Sequence, residues 1–332
     1  MKNKIILGIE TSCDETSVAI VENGRKVLSN IVSSQIEIHK KYGGVVPEIA
    51  SRQHMKHILI SLSEALEKAK MTLDEIDGIA VVNGPGLKGS LLIGLSFAKA
   101  IAYAIKKPLI SVNHIEGHIY ANFLCHKDIA FPFLSLIVSG GHTSLILVQA
   151  MGEHTTLGST RDDAAGEVFD KVAKYLNLCY PGGPVIEELS LKGKDDAINF
   201  PRPLISASNF DFSFSGLKTA VIYYVNKVRK SDNKLPLEDI CASFQKAVFD
   251  TLISKTLLAA KKYNIENIIL GGGVTANECL RKLMLDAGKK NKLNIYFPSR
   301  ELCTDNAAMI AVVGYFKLLK GFQDSFDIDV YT

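Results

Sequence analysis

The chain has 332 residues, of which 47% are hydrophobic and 22% are charged, and this balance excludes an intrinsically disordered protein. The formal net charge of +3 is too small to require a nucleic-acid partner, and it excludes none, because local patches matter more than the total. A chain of this length is expected to form two domains of roughly 150 residues each.

The six cysteines are spread along the chain without a C-x-x-C pair, which is typical of reduced thiols in a cytosolic protein. No apolar run approaches the ~20 residues that a membrane-spanning helix needs. We therefore expect a cytoplasmic protein with no membrane partner.

The first half is predicted to begin with an antiparallel unit. Apolar runs at Ile5–Ile9 and Val18–Glu22, with a turn at Asn23–Gly24, predict two strands, and a third is predicted at Lys26–Val32. Apolar residues at helical spacing predict a helix over Val46–Ala69.

Strands and helices then alternate. A buried strand at Ile79–Val82 precedes a glycine-rich turn, a helix from about Ser90 to Ile105, and a strand at Leu109–Val112. This alternation predicts an α/β fold.

The second half starts with the same pattern as the first. Strands at Phe133–Val138 and Leu145–Val148 flank a small polar turn, so we predict a weak internal repeat. A later strand at Ile268–Leu270 leads through three glycines into a helix near Asn277. The stretch Asn199–Ser215 is predicted to be a long loop, and long ordered loops are often functional.

We place the domain boundary near residues 124–131, where no low-complexity linker separates the halves. The first domain is predicted to span residues 1–125 and the second residues 126–332. The C-terminal helix, residues 306–320, is expected to pack back on the first domain.

Candidate catalytic residues lie in the polar turn between the first two predicted strands. Its hydroxyl groups and amides can hold a phosphate, while Asp14 and Glu15 can orient a nucleophile or a metal-bound water. The alternative is an ordinary polar hairpin tip.

Two glycine-rich loops are candidate nucleotide sites. Residues 138–143 contain paired glycines, which allow a ligand to approach the backbone closely. Residues 270–277 combine a strand end, three glycines and a helix start. Asn277 can cap that helix or bond a ligand, and the pattern leaves both uses open.

His114 and His118 are the candidate metal ligands. At i and i+4 they share one helix face, which is metal-ligand spacing, and Asp305 is the best candidate for a third ligand. Two satisfied surface histidines are the alternative. Glu116 does not directly follow the first histidine, so the general base of the H-E-x-x-H zinc-protease signature is missing.

Carboxylates also lie near the Gly182–Pro184 turn. Asp170 and Glu187 could bond ribose hydroxyls of a nucleotide, as carboxylates near such loops commonly do. A solvated charged helix face is the alternative.

Together these segments resemble the TsaD family of tRNA threonylcarbamoyladenosine-modifying enzymes. The matching segments are Gly8–Thr16, Val46–Arg52, Asn83–Leu87, Asn113–His118, Val138–Thr143, Tyr180–Pro184, Phe212–Thr219, Gly271–Asn277 and Thr304–Asn306. They span nearly the whole chain in family order.

The resemblance implies the fold shared by actin, sugar kinases and the Hsp70 ATPase (the ASKHA superfamily), with two RNase H-like domains around a nucleotide cleft. It implies a divalent metal, Fe²⁺ first and Zn²⁺ second, held by His114, His118 and Asp305. The residues it implies for the adenylate part of the substrate are Ile137, Val138, Ser139, Gly140, Gly141, Asp170, Gly183, Glu187 and Asn277. Glu187 departs from the family pattern, since relatives often carry Asp there.

The activity implied is transfer of the threonylcarbamoyl group from threonylcarbamoyl-AMP to the N6 amine of adenosine 37, in tRNAs that read codons beginning with adenine. The implied partners are tRNA, a TsaB-like paralogue in a heterodimer and a TsaE-like ATPase. Asp14 would take a proton from the attacking amine or orient it. A metallopeptidase and a sugar-kinase-like phosphotransferase remain the alternatives.

Overall fold

The computed structural model describes residues 3–231 and 234–332, which form two compact units. Residues 3–129 and 298–332 make the first unit, and residues 130–297 make the second. The sequence analysis assigned residues 126–332 to the second domain and expected the C-terminal helix to pack on the first. In the structure, all of residues 298–332 belong to the first unit.

Ten strands and ten α-helices occur in the described part of the chain. The strands are β1 (Ile5–Glu10), β2 (Glu15–Glu22), β3 (Lys26–Ser34), β4 (Gly78–Gly84), β5 (Leu109–Asn113), β6 (Phe133–Val138), β7 (Thr143–Ala150), β8 (Glu153–Ser159), β9 (Asn267–Gly271) and β10 (Asn294–Tyr296). The helices are α1 (Ile36–His39), α2 (Pro47–Ala69), α3 (Lys88–Ile105), α4 (His114–Tyr120), α5 (Ala165–Tyr175), α6 (Gly182–Ser190), α7 (Ser215–Lys230), α8 (Leu237–Tyr263), α9 (Glu278–Asn291) and α10 (Ala307–Leu319).

The first unit contains a five-stranded sheet in the order β3-β2-β1-β4-β5. Strands β1, β2 and β3 pair antiparallel, whereas β4 and β5 run parallel to β1. Alternate residues of β1 serve opposite faces, as the strand period requires. Leu7 and Ile9 pack in a core with residues of α2 and α3. Gly8 meets α10 on the other face, where a Cβ would lie 2.2 Å from the Ala307 carbonyl oxygen.

Helix α3 is long and apolar enough, by length and composition, to cross a membrane, with a mean hydropathy of 1.3. Leu91, Leu95 and Ala98 on this helix are nevertheless buried in the first unit. Such packing is typical of the core helix of a globular domain.

The second unit repeats this topology with the order β10-β9-β6-β7-β8. Strands β6, β7 and β8 form the antiparallel part, and β9 and β10 run parallel to β6. The predicted internal repeat is therefore confirmed at the level of sheet topology. Its core is built from β6, β7 and β9 together with α5, α7 and α8, and it buries Phe169, Phe244 and Phe249.

Candidate functional site

The first cluster of interest is built on α4. Strand β5 ends at Asn113, whose side-chain oxygen accepts hydrogen bonds from the backbone N–H groups of Ile115 (2.8 Å) and Glu116 (3.1 Å). This N-cap starts the helix directly at His114. One turn later comes His118, and the two imidazole centroids lie 4.7 Å apart.

Asp305 joins the two histidines from the segment before α10. Its Oδ1 lies 3.2 Å from His118 Nε2 and 3.6 Å from His114 Nε2. One ligand atom of each residue falls within 4.8 Å of the others. The structure thus brings together the three residues that the sequence predicted as metal ligands, although they are separated by up to 191 positions along the chain.

The cluster fits a divalent transition metal. Both ring nitrogens of His118 are buried, and neither has a hydrogen-bond partner among the described residues. The approach of Asp305 to Nε2 therefore lacks the geometry of a hydrogen bond. Leaving such atoms unsatisfied is costly, and a metal ion would satisfy one of them. Two imidazoles and one carboxylate are also the donor set of iron sites and of zinc sites with an open position.

Glu10 and Ser12 fix the far side of the His114 ring, and the sequence analysis did not single them out. His114 Nδ1 lies 3.1 Å from Ser12 Oγ and 3.3 Å from Glu10 Oε2. Burial alone would lower the pKa of His114, but the negative charges of Asp305 and Glu10 outweigh it and raise that pKa to about 9. Such a carboxylate behind a ligating histidine sets its ring orientation. The available signal was an acid ending an otherwise apolar strand.

Asp14 and Glu15 lie in the first unit at the start of β2. Asp14 is buried, and Glu15 accepts a hydrogen bond from Ser34 Oγ at 3.1 Å. Burial, followed by the negative charges of Asp14 and Asp305, raises the pKa of Glu15 well above its usual range. A hydrogen bond between the two neighbouring carboxyl groups contributes to this rise. The pair therefore favours one retained proton over two full charges.

In the second unit, the predicted adenylate residues begin at the end of β6. Ile137 and Val138 are fully buried in the strand, where both pair with β7, so neither residue exposes surface to a ligand in this structure. The turn from Ser139 to His142 is closed by a hydrogen bond from the Ser139 N–H to the His142 carbonyl oxygen (2.8 Å). A Cβ at Gly140 or Gly141 would meet nothing within 4 Å, so the backbone there is open to a ligand.

Two further glycines let other segments approach this turn: Gly166, which the sequence analysis did not single out, and Gly272, one of the three glycines of the second candidate loop. A Cβ on Gly166, at the start of α5, would lie 2.6 Å from the Ser139 carbonyl oxygen. One on Gly272, after β9, would lie 2.5 Å from the Val138 carbonyl oxygen. The φ of +93° at Gly272 also favours glycine. The glycine-rich ends of β6 and β9 therefore meet.

Asp170 and Gly183 belong to a second contact, between α5 and α6. Asp170 Oδ1 accepts a hydrogen bond from the Gly182 N–H at 2.7 Å, at the first residue of α6. A Cβ on Gly182 would lie 2.6 Å from the Phe169 carbonyl oxygen, whereas one on Gly183 would meet nothing within 4 Å. The carboxylate therefore orients the start of α6, and Gly183 leaves space beside it.

Asn277 and Glu187 both serve the N-terminus of α9. Asn277 Oδ1 accepts from the Leu280 N–H (3.1 Å), and Glu187 Oε1 accepts from the Glu278 N–H (2.7 Å). The Asn277 side-chain amide also donates to Gln245 Oε1 at 2.8 Å, a contact that sequence reasoning missed. Of the two uses left open for Asn277, helix capping is present here.

Comparison with known proteins identifies the family. The model of the family described as "TsaD: tRNA N6-adenosine threonylcarbamoyltransferase" matches residues 26–312. A relative with that name from Clostridium novyi is 54% identical over 317 residues, covering 95% of this chain and 93% of the relative. One from Clostridium botulinum (strain 657) is 52% identical, covering 99% of this chain and 97% of the relative. The chain belongs to the TsaD family. The resemblance seen in the sequence is thereby confirmed.

Solved structures confirm the predicted fold class. Component A of (R)-2-hydroxyglutaryl-CoA dehydratase from Acidaminococcus fermentans matches with a TM-score of 0.56 at 16% identity, covering 95% of this chain and 99% of that one. HypF from T. kodakarensis matches with a TM-score of 0.65 at 15% identity, covering 96% of this chain and 48% of that one. At these identities the likeness concerns the fold alone.

TsaD-family members are transferases that act on tRNA, and this chain is an enzyme of that class. The metallopeptidase and phosphotransferase alternatives are not favoured by these relatives. Glu116 on α4 lies in an ion pair, with its Oε2 at 3.2 Å from Lys317 Nζ.

Proposed function

We propose that this chain transfers the threonylcarbamoyl group of threonylcarbamoyl-AMP to the N6 amine of adenosine 37, in tRNAs that read codons beginning with adenine. The observation that carries the proposal is the match to tRNA N6-adenosine threonylcarbamoyltransferases over nearly the whole chain, at more than 50% identity. In the reaction, a bond forms between N6 and the carbamoyl carbon, the bond from that carbon to the phosphate oxygen breaks, and N6 loses a proton.

His114, His118 and Asp305 would hold one divalent metal, Fe²⁺ in preference and Zn²⁺ as the second choice. The proximity of their donor atoms and the unsatisfied nitrogens of His118 support this assignment. A metal held there would supply Lewis-acid stabilisation of negative charge on the leaving phosphate. Glu10 and Ser12 hold the His114 ring through Nδ1, which leaves Nε2 for the metal.

The adenylate would be held largely by backbone groups of the second unit. Gly140 and Gly141 support this assignment, because both residues are exposed and a Cβ on either would meet no atom within 4 Å. Asp170 holds the first turn of α6 in place, and Gly183 leaves room for the ligand. Asn277 and Glu187 stabilise the start of α9, whose N-terminus favours negative charge.

Asp14 would act on the attacking amine by accepting its proton or a hydrogen bond from it. Glu15 retains a proton more readily than a free glutamate, because burial and the charge of Asp14 raise its pKa. The protonated Glu15 can then donate to Asp14 and hold that carboxylate in one orientation. Asp14 is therefore assigned the reactive role and Glu15 the supporting one.

A TsaB-like paralogue would bind the exposed face of α2 in a heterodimer, and a TsaE-like ATPase would complete the assembly in the cytoplasm. Met55, Leu59 and Ile60 on α2 are 65%, 64% and 53% exposed, which suits a protein partner better than water. Met55→Glu should weaken the heterodimer, whereas Leu191→Glu, at a more exposed apolar residue of the second unit (80%), should not. Crosslinks that map the paralogue to the second unit would contradict this assignment.

The activity is tested by incubating the chain with both partner proteins, labelled threonylcarbamoyl-AMP and tRNA. We expect label at adenosine 37, and none in a matched tRNA that carries guanosine at that position. Label that stays in free products, together with peptide cleavage or phosphorylation of a small hydroxylated acceptor, would favour one of the alternatives.

A further inference from the structure

The C-terminal residues 322–332, here called the C-terminal strap, lie against the edge strand of the first sheet. Asp324 makes a two-point contact with β5: its N–H donates to the Leu109 carbonyl oxygen (2.8 Å), and its Oδ2 accepts from the Ser111 N–H (2.6 Å). Lys99 on α3 donates to the Ile328 carbonyl oxygen at 2.6 Å. The strap therefore covers edge groups of β5 that would otherwise be unpaired.

Tyr331 ends this contact at the junction between β5 and α4. Its N–H donates to the Asn83 carbonyl oxygen (3.0 Å), and its Oη accepts from Asn113 Nδ2 (2.7 Å). The backbone and ring of Tyr331 lie against Gly84, where a Cβ would come within 2.4 Å of the Tyr331 carbonyl oxygen and 2.8 Å of its ring. Only glycine leaves this space.

Asn113 connects Tyr331 to the metal-ligand cluster. Its side-chain amide is planar, with the donor Nδ2 and the acceptor Oδ1 on opposite sides of Cγ. Fixing the position of Nδ2 therefore also fixes the direction of Oδ1. That oxygen caps α4 through the N–H groups of Ile115 and Glu116. Because His114 directly follows Asn113 and His118 lies one turn later, the cap sets the position of both imidazoles.

We propose that Tyr331, which the C-terminal strap places against Asn113, is a positioning residue of the metal site. Tyr331 touches neither the metal nor the substrate, and it acts by holding the Asn113 amide. This inference rests on the metal site assigned under the proposed function. It adds Tyr331 to the residues that hold the geometry of His114 and His118.

The test compares Tyr331→Phe with the parent, using the full chain stripped of metal and reloaded with Co²⁺. The variant keeps the ring against Gly84 and removes only the hydroxyl. We expect Co²⁺ affinity, measured by competition with a chelator, to fall about three- to ten-fold, the usual effect of one lost hydrogen bond. The Co²⁺ ligand-field absorption should also change, because the imidazoles lose their fixed orientation.

Lys99→Met is the matched control, since it removes another anchor of the strap without touching Asn113. It should lower the melting temperature and leave Co²⁺ affinity and absorption as in the parent. Asn113→Ser keeps a capping hydroxyl that is too short to reach Tyr331. In an Asn113→Ser background, Tyr331→Phe should change the affinity less than two-fold, because the two residues act in one chain of contacts.

Each outcome separates the strap from the metal site. If the parent binds Co²⁺ and Tyr331→Phe binds it with equal affinity and unchanged absorption, the role of the strap is overturned. The assignment of the metal ligands is then unaffected. Equal losses of affinity in Tyr331→Phe and Lys99→Met also overturn it, because they indicate general destabilisation. A parent that binds no metal overturns the site, and with it the strap's role.

Discussion

The two units share one sheet topology and use it for different chemistry. The β1–β2 connection of the first unit and the β6–β7 connection of the second follow the central strand of each sheet. The first connection places buried Asp14 beside Glu15, whereas the second exposes the backbone of Gly140 and Gly141. One loop offers ionisable side chains and the other offers amides.

Side chains and backbone also differ in the connections after two other strands, the outer parallel strand β5 of the first unit and the inner parallel strand β9 of the second. In the first unit, β5 leads into α4 with its two histidines, while in the second unit β9 leads into a glycine turn before α9. In the function that we propose, these connections rather than the sheets carry the chemistry, so one sheet topology would serve a metal cluster in one unit and a backbone-lined ligand site in the other. Reactive chemistry is thus assigned to the first unit and adenylate recognition to the second.

The largest expected effect is that of Asp14→Asn, which keeps size and removes charge. Transfer to tRNA should fall about 10²–10⁴-fold, the contribution of a general base, with little change in the binding of adenylate or metal. Asp74→Asn, at an exposed acid of the same unit, should transfer at the parental rate. Loss of adenylate binding in Asp14→Asn would show that Asp14 binds substrate. Full activity in this variant would show that the turn is an ordinary hairpin tip without a catalytic role.

His118→Ala should remove most of the bound metal. Changing residues behind a ligand costs 10–100-fold in metal affinity, so loss of a ligand should exceed about 100-fold. Metal analysis of the purified variant is the measurement, with His57→Ala on α2 as a histidine control outside the cluster. Full metal occupancy in His118→Ala would refute the ligand assignment.

Gly183→Val tests the backbone-lined site of the second unit. The added side chain meets no protein atom near its Cβ, so the fold should persist, but it should obstruct the adenylate and weaken its affinity about ten-fold. Gly216→Val is the matched control, because both glycines are the second residue of a helix. Equal adenylate affinity in Gly183→Val and the parent, measured by calorimetry, would remove Gly183 from the site.

The smallest expected effect concerns Glu15. Its raised pKa means that the folded protein holds the proton more tightly than the unfolded chain, so stability is lost as pH rises from the unfolded value through the folded one. Glu15→Gln mimics the protonated form and should melt about 2–4 °C higher than the parent at about pH 7.5. The difference in melting temperature between Glu15→Gln and the parent should vanish below about pH 4.5. A difference that is independent of pH would contradict the assignment.

Much of the fold followed from local patterns. Apolar runs predicted β1, β4, β6 and β9, because buried central strands are continuously hydrophobic. Strand β8 was missed because Glu153, Thr155 and Thr156 are polar and exposed, and only pairing with β7 makes the segment a strand. Helix α8 was also not predicted, since its buried residues are spread around the helix and leave little amphipathic period.

The candidate site was predictable where its signal was local. The i, i+4 spacing of His114 and His118 marks one helix face, but the approach of Glu10 to His114 joins residues 104 positions apart. The same holds for Tyr331 and Asn113, which are separated by 218 positions. No pattern within a single element reports such contacts, and they arise only when the strands pair in this order.

The division of labour between the units is tested most directly by single-turnover transfer to tRNA across a range of adenylate concentrations. We predict that Asp14→Asn lowers the rate constant at saturating adenylate and leaves the half-saturating concentration unchanged. Gly183→Val should raise the half-saturating concentration and approach the parental rate constant at saturation. A raised half-saturating concentration in Asp14→Asn, together with a lowered rate constant at saturation in Gly183→Val, would contradict this division of roles.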